Sequence, residues 1–325
     1  MITRRRVLTS LAAGSLGLNA VRLGYAQHYP HKLIRLILPY TAGSPNDVLA
    51  RLVVPSLSSR LGQTIIIDNR PGGGTTIGLK AVMAADPDGY TLLYTNTPTH
   101  VIAQLISKTF TYDPIRDFVP VATFGSSTLV LVVPPAVPVN SLQEFIAYAK
   151  ANPGKLNFGF GQGTLPHLVG ETFKLATGTQ ITSIPYRGGA QAVADMLGGQ
   201  IHMNLGATAT LVPLIRDGRV KALAVTSATR HPDLPEVPTM AESGLPDVTS
   251  VTFYGIFGPA GTPADAVERL NRDVNETLKD PELRAAMSKV GFEPKSGTPQ
   301  DFATLIAEQM RQWTPLVKAS GFQME

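Results

Sequence analysis

The chain has 325 residues, 43% of them hydrophobic and 16% charged, with no cysteine; this composition builds a folded core and excludes a disordered chain, disulfide staples and cysteine-ligated zinc. At roughly 150 residues per domain, the length suggests two domains or lobes. The formal charge of +4 is confined to the N-terminus: Arg4, Arg5, Arg6 and Arg22 fall within the first 26 residues, and the basic residues beyond them balance the 24 acidic ones, so the body offers no global attraction for nucleic acid.

The first 26 residues read as an address. Arg4-Arg5-Arg6-Val7-Leu8 is followed by a mildly apolar stretch from Leu11 to Leu18 and then by Gly24-Tyr25-Ala26 before Gln27. That order of basic, apolar and small-residue cleavage segments is a secretory signal, and the paired arginines fit the twin-arginine variant. The apolar stretch is too short to span a bilayer, which takes about 20 residues. Cleavage after about Ala26 is expected, releasing the mature chain into the periplasm, and no cysteine follows that could carry a lipid.

The body then alternates strand and helix. Leu33 to Pro39 is an apolar run broken by Thr41-Ala42-Gly43-Ser44-Pro45-Asn46-Asp47, after which Val48, Leu49, Leu52, Val53 and Leu57 recur at helical spacing. Ser44, Pro45 and Asp47 stand as N-cap, N1 and N3, which fixes the helix start. The unit repeats from Thr64 to Ile67 through Gly72-Gly73-Gly74 into a helix carrying Ile77, Ala81 and Val82, and the turn Asp86-Pro87-Asp88-Gly89 delivers the strand Tyr90 to Tyr94. Farther on, Leu156 to Phe160 leads through Gly161-Gln162-Gly163-Thr164 into the helix His167 to Leu175. Ile181 to Ile184 passes through Tyr186-Arg187-Gly188-Gly189 into the helix Ala190 to Leu197, and Val220 to Thr226 is a further strand. This is an α/β pattern with a largely parallel sheet. Two long β-rich runs, Val119 to Val133 and Val251 to Phe257, are expected to cross between lobes; the remainder from Pro263 reads as helices. The expected organisation is a signal segment over 1–26, a first lobe over 27–125 completed by 251–325, and a second lobe over 126–250.

Catalytic signatures are missing. There is no G-x-S-x-G and no thiol, Leu79-Lys80 stands where a P-loop needs Lys-Ser/Thr, and Gly159, Gly161 and Gly163 make no dinucleotide fingerprint. His167 and Glu171 lie four apart on one helix face, but no neighbouring ligand completes a metal site. No metal, cofactor or catalytic activity is therefore expected. What recurs is a glycine-rich loop opening a helix, at Gly43-Ser44, at Gly163-Thr164 and at Gly188-Gly189. The first N–H groups of a helix have no internal acceptor and carry partial positive charge, so such starts attract a carboxylate without any cation. In an open α/β sheet these loops gather at the carboxyl ends of the strands.

The ordered set Leu36-Ile37-Leu38-Pro39-Tyr40, Asp68-Asn69-Arg70-Pro71-Gly72, Asp86-Pro87-Asp88-Gly89-Tyr90, Ile184-Pro185-Tyr186-Arg187-Gly188, Leu197-Gly198-Gly199-Gln200 and Tyr254-Gly255-Ile256-Phe257 resembles the Bug receptors, the extracytoplasmic solute receptors of tripartite tricarboxylate transporters. The resemblance covers the mature chain. It implies a two-lobed periplasmic-binding-protein fold of the two-crossing type, acting as a monomer that captures a small carboxylate in the cleft and delivers it to a membrane permease. Carried onto this chain, it implies ligand contacts at Tyr40, Thr41, Ala42, Gly43, Ser44 and Asp47 in the first loop. Thr95, Thr97 and Thr99 follow after the third strand, and Gly161, Gly163, Thr164, His167, Tyr186 and Gly188 stand on the opposite lobe. Arg187 is a candidate partner for a second carboxylate, and Phe253 and Tyr254 either line the pocket or pack in the core. The first loop departs from the Pro-Pro-Gly-Gly of many family members: Ser44 replaces a glycine and Pro45 enters, removing an N–H that a helix start leaves free in any case. A ligand-sensing role beside a membrane kinase, or an enzyme on the same scaffold, are the alternative readings.

Overall fold

The computed structural model describes residues 29–106, 110, 112–162 and 164–320; the signal segment and Gly163 lie outside the described residues. The chain opens with β1 (Ile34–Leu38), α1 (Pro45–Leu61), β2 (Ile65–Asn69), α2 (Thr76–Met83), β3 (Thr91–Asn96) and the short α3 (Ala103–Ile106). Strand β1 buries Ile34, Leu36 and Leu38 on one face and Ile37 on the other, with Arg35 exposed, close to the two-sided burial of a strand inside a parallel sheet. It pairs in parallel with β2 and β3. Helix α1 starts where the sequence places it, with Ser44 as N-cap and Pro45 in the first turn, and it ends on Gly62 in the left-handed conformation at φ 69°.

The next element carries the architecture. Strand β4 (Phe118–Val133) has 16 residues, about 50 Å of extended chain, enough to run through two lobes. It is followed by α4 (Leu142–Ala151), β5 (Asn157–Gly161), α5 (Leu165–Thr177), β6 (Thr182–Tyr186), α6 (Gly189–Leu197), β7 (Met203–Ala207), α7 (Thr208–Arg216) and β8 (Lys221–Val225). Strand β9 (Val251–Pro259) returns, and α8 (Ala264–Thr277), α9 (Pro281–Lys289), β10 (Glu293–Pro294) and α10 (Pro299–Ser320) complete the chain. From Phe118 to Thr128, β4 lies antiparallel to β9, which in turn pairs with β3. From Leu129 onward it leaves β9 and pairs with β7 and β8. The strand order is β2-β1-β3-β9-β4-β7-β5-β6.

Each half is thus a small parallel sheet, β2-β1-β3 or β7-β5-β6, joined through antiparallel crossing strands. The sheet is more mixed than the alternating pattern suggests, because a chain that leaves one lobe and later returns must run its crossing strands against each other. A continuous apolar cluster containing Leu93, Phe118, Leu131 and Phe158 follows β4 from one half to the other. Helix α10 pins the crossing: Gln309 Nε2 donates to the Val251 carbonyl (2.8 Å), its Oε1 accepts from Thr97 Oγ1 (2.9 Å), and Thr97 Oγ1 accepts from the Phe253 N–H (3.0 Å).

Candidate functional site

A cavity of about 610 Å³ lies where the two sheets meet, within the size range of small-molecule sites. Pro45 and Pro98 contribute from one lobe, and Ser127, Thr252 and Tyr254 form its floor on the crossing strands. The other lobe supplies the largest share: Phe160, Gly161, Thr164 and Leu165; Gly189, Ala190 and Val193; and Asn204, Gly206, Thr210 and Leu211. Most of these side chains are apolar. None of the described residues lining the cavity carries a charge.

The positive character comes from backbone. Pro45, Leu165, Gly189 and Thr208 begin α1, α5, α6 and α7, and residues at all four starts border the cavity. The starts are not equivalent. At α5, α6 and α7 the N-cap residues Thr164, Gly188 and Ala207 make no side-chain cap bond; Thr164 Oγ1 instead donates back to the Gly161 carbonyl at 2.7 Å. Without a side-chain cap these starts present first-turn N–H groups to an incoming anion, although Pro166 removes one at α5 and the Gln191 N–H of α6 turns back to the Gly188 carbonyl at 3.3 Å.

At α1 the same positions are already occupied. Asp47 is 1% exposed. Its carboxylate accepts from the Gly43 N–H (2.8 Å), Arg51 Nε (2.7 Å) and Asn69 Nδ2 (2.9 Å), while Asn69 Nδ2 also holds the Tyr40 carbonyl at 3.1 Å. Burial raises the Asp47 carboxyl, but the bonds from Arg51, Gly43 and Asn69 outweigh it and bring its pKa down to about 2. Ser44 Oγ stands 3.4 Å from the Asp47 N–H, and the Ser44 N–H bonds the Thr41 carbonyl at 3.2 Å. The first loop is therefore knitted to itself, with Thr41, Ala42 and Gly43 exposed on its outer side.

The other residues expected from sequence divide similarly. Gly161 and Thr164 line the cavity. Tyr40 Oη donates to Thr99 Oγ1 (2.9 Å) and meets Thr95 Oγ1 at 3.1 Å, so these three form one hydroxyl cluster, and burial raises the Tyr40 phenol. Thr97 serves the α10 anchor. His167 stacks on Phe160, with ring centroids 3.8 Å apart and 11° between planes, and burial lowers its pKa, keeping the ring neutral. Its helix neighbour Glu171 is taken up by Lys174 (2.9 Å) and by the Ser183 hydroxyl; among the described residues no group of three or more His, Asp or Glu side chains could hold a metal ion. Tyr186 Oη donates to Asp195 Oδ2 at 2.7 Å, and burial together with that carboxylate pushes its pKa up to about 12. Arg187 is exposed and Gly188 caps α6. Phe253 packs in the core, whereas Tyr254 faces the cavity, its hydroxyl 3.2 Å from Ser127 Oγ.

Sequence reasoning passed over the β7–α7 unit entirely, and with it Asn204, Gly206, Thr210 and Leu211. The signal was present but short: Met203-Asn204-Leu205 between glycine turns, then Leu211, Val212 and Ile215 at helical spacing.

Comparison with known proteins agrees with this architecture. The model of the "Tripartite tricarboxylate transporter family receptor" matches residues 49–322. The chain is 34% identical over 302 residues to "Protein BugT" of Bordetella pertussis, covering 92% of this chain and 93% of that protein. Among solved structures it is similar to "R. palustris Rpa4515 with adipate", at 33% identity and TM-score 0.73, covering 91% of this chain and 99% of that one. It is also similar to "MatC (Rpa3494) from Rhodopseudomonas palustris with bound malate", at 29% identity and TM-score 0.70, covering 89% and 100%. The chain, with its two parallel half-sheets joined by crossing strands, belongs to the family of tripartite tricarboxylate transporter receptors.

Proposed function

We propose that this protein is an exported periplasmic receptor that captures a small organic acid between its lobes and presents it to a tripartite tricarboxylate transporter permease. The carrying observation is the convergence of α1, α5, α6 and α7 starts on an uncharged cavity. The acid's carboxylate takes the uncapped N–H groups of α5, α6 and α7, with Thr164 beside it. Tyr254, Ser127 and Thr252 meet its far side on the crossing strands. The first loop, held rigid by Asp47, closes over it with the exposed edge of Thr41, Ala42 and Gly43. The adipate and malate of two similar receptors support an acid as cargo.

The working form in this reading is a monomer whose signal segment is removed after about Ala26. Its lobes are formed by 27–125 with 251–325 and by 126–250, and no chemistry is performed on the acid. The test is a thermal-shift screen against mono-, di- and tricarboxylates, amino acids and aromatic acids, followed by calorimetry. A ligand at about 100 times its Kd stabilises by roughly 2.7 kcal/mol. A shift confined to acids supports the proposal; conversion of the bound acid, or no shift from any acid, overturns it.

A further inference from the structure

Among the described residues lining the cavity, one buried side-chain polar atom is left without a partner. Asn204 is 2% exposed and stands in the middle of β7 between β4 and β5. Its Nδ2 donates to the Gly159 carbonyl at 2.8 Å, which fixes the orientation of the amide. Its Oδ1 is buried and accepts no hydrogen bond. That oxygen is directed along β7 toward Gly206, two residues nearer the carboxyl end of the strand, where the cavity opens. A Cβ built on Gly206 would stand 3.1 Å from Oδ1 and 2.7 Å from Leu211 Cδ1. With glycine there, only the end of the Leu211 side chain separates the amide oxygen from the cavity. The side chains of Val193 and Leu211 on α6 and α7 flank the cavity at this point and carry no donor.

A buried carbonyl oxygen with no donor is costly in a finished protein. We infer that the bound acid supplies the donor: Asn204 Oδ1 reads a hydroxyl on the ligand, and the receptor selects hydroxy acids over the same acids without the hydroxyl. A hydroxyl fits better than an ammonium because the helix starts around the cavity already make its potential positive. This inference rests on the cleft being an acid site, and it adds which acids enter and which residue chooses them.

The test is calorimetry of the purified protein with matched pairs differing in one hydroxyl: succinate and malate, glutarate and 2-hydroxyglutarate, 3-phenylpropionate and phenyllactate, with aspartate as the amino arm. In the pair that binds best, the hydroxy acid is expected to bind at least tenfold more tightly than its partner and than the amino acid. Asn204→Leu reduces this preference to twofold or less, read as the ratio of affinities within the pair. Gly206→Ala, which fills the access to Oδ1 and leaves the Asn204–Gly159 bond in place, does the same and covers the case in which Asn204→Leu does not fold. Equal affinity within the best pair, as a buried water on Oδ1 would give, overturns the inference. So does a preference that survives both substitutions, or tighter binding of aspartate. Failure of every acid to bind overturns the acid reading itself, and the inference with it.

Discussion

Asp47→Asn separates the two roles that a residue in the first loop can play. In the folded protein the Asp47 carboxyl has a pKa of about 2, against 3.8 for the free group. Ionised Asp47 therefore stabilises the fold by roughly 2 to 3 kcal/mol at neutral pH. The group is 1% exposed, so solvent screening does not erode this value, although Arg51 reaches it from a half-exposed position. The folded pKa lies below the unfolded one, so the stabilisation is complete above about pH 4.5, about half remains at pH 3, and little is left at pH 2. Asparagine cannot reproduce the charge that holds Arg51, Gly43 and Asn69 together. Urea denaturation at pH 7 should show the variant less stable by that amount, equivalent to a fall in Tm of about 3–5 °C for a chain of this size. The gap to wild type should narrow by about half at pH 3, and affinity for the acid should fall less than threefold, because the carboxylate faces the loop and not the cavity. Unchanged stability together with a tenfold loss of affinity would falsify this assignment and return Asp47 to the ligand.

Gly189→Pro removes one first-turn N–H from α6 at a helix position that tolerates proline, after an extended Gly188 at ψ 158° and with open space where a Cβ would stand. Affinity for the acid should drop about 10- to 100-fold, the worth of one hydrogen bond to a charged group, with Tm of the empty protein nearly unchanged; calorimetry showing equal affinity would move the carboxylate elsewhere. His100, fully buried and stacked 4.0 Å from Phe257, has its pKa lowered to about 3 by burial. Because the unfolded chain binds a proton that the folded one refuses, stability should fall by about 1.4 kcal/mol per pH unit from 6.5 toward 3. His100→Phe should flatten that slope between pH 6 and 4, and an unchanged slope in urea midpoints would assign the acid sensitivity to other groups. Gly291 has φ 84°, and a Cβ there would stand 1.9 Å from Ala209 at the start of α7, beside the His231–Glu293 pair at 3.0 Å. Gly291→Val should cost about 1–3 kcal/mol through overpacking and increase the radius of gyration in solution scattering; a variant as compact as wild type would show that this contact does not hold the lobes together.

The lobes were legible because their parallel strands are short apolar runs followed by glycine turns and amphipathic helices, which is local information. The start of α1 could be read to the residue from Ser44, Pro45 and Asp47. What was not legible was long-range. Nothing in Asn69 or Arg51 announces that they meet Asp47 and make the first loop self-contained. Equally, Asp47 reads as a capping residue whether its carboxylate faces solvent, ligand or loop. The β7–α7 unit escaped because five residues containing two small ones and an asparagine, Met203 to Ala207, make a weak strand signal. Its polar member is the feature that matters, and a buried Asn in a central strand is unfavourable until its partners are known. Thr95 ends up inside β3, and Thr97 and Thr99 in the turn that follows it; their hydroxyls serve Tyr40 and Gln309, contacts spanning more than 50 and more than 200 residues of sequence.

The absence of a charged side chain from the cavity lining bears on how the receptor releases its cargo. A micromolar ligand requires about −8.2 kcal/mol. Helix starts contribute about 0.3–1 kcal/mol each where exposed and up to about 2 when partly buried, so three of them fall short by themselves. On the proposed reading the remainder comes from burial of the acid between Phe160, Leu165, Val193 and Leu211 of one lobe and Pro45, Pro98 and Tyr254 facing them. On the same reading affinity is then tied to closure: when the lobes part, Pro45 and Pro98 withdraw from the acid, water reaches the helix starts, and only the contacts to the other lobe remain. A fixed arginine in the pocket would hold the carboxylate in both states and slow its transfer. Building the site from backbone dipoles and apolar surface makes tight capture and ready release two states of one hinge.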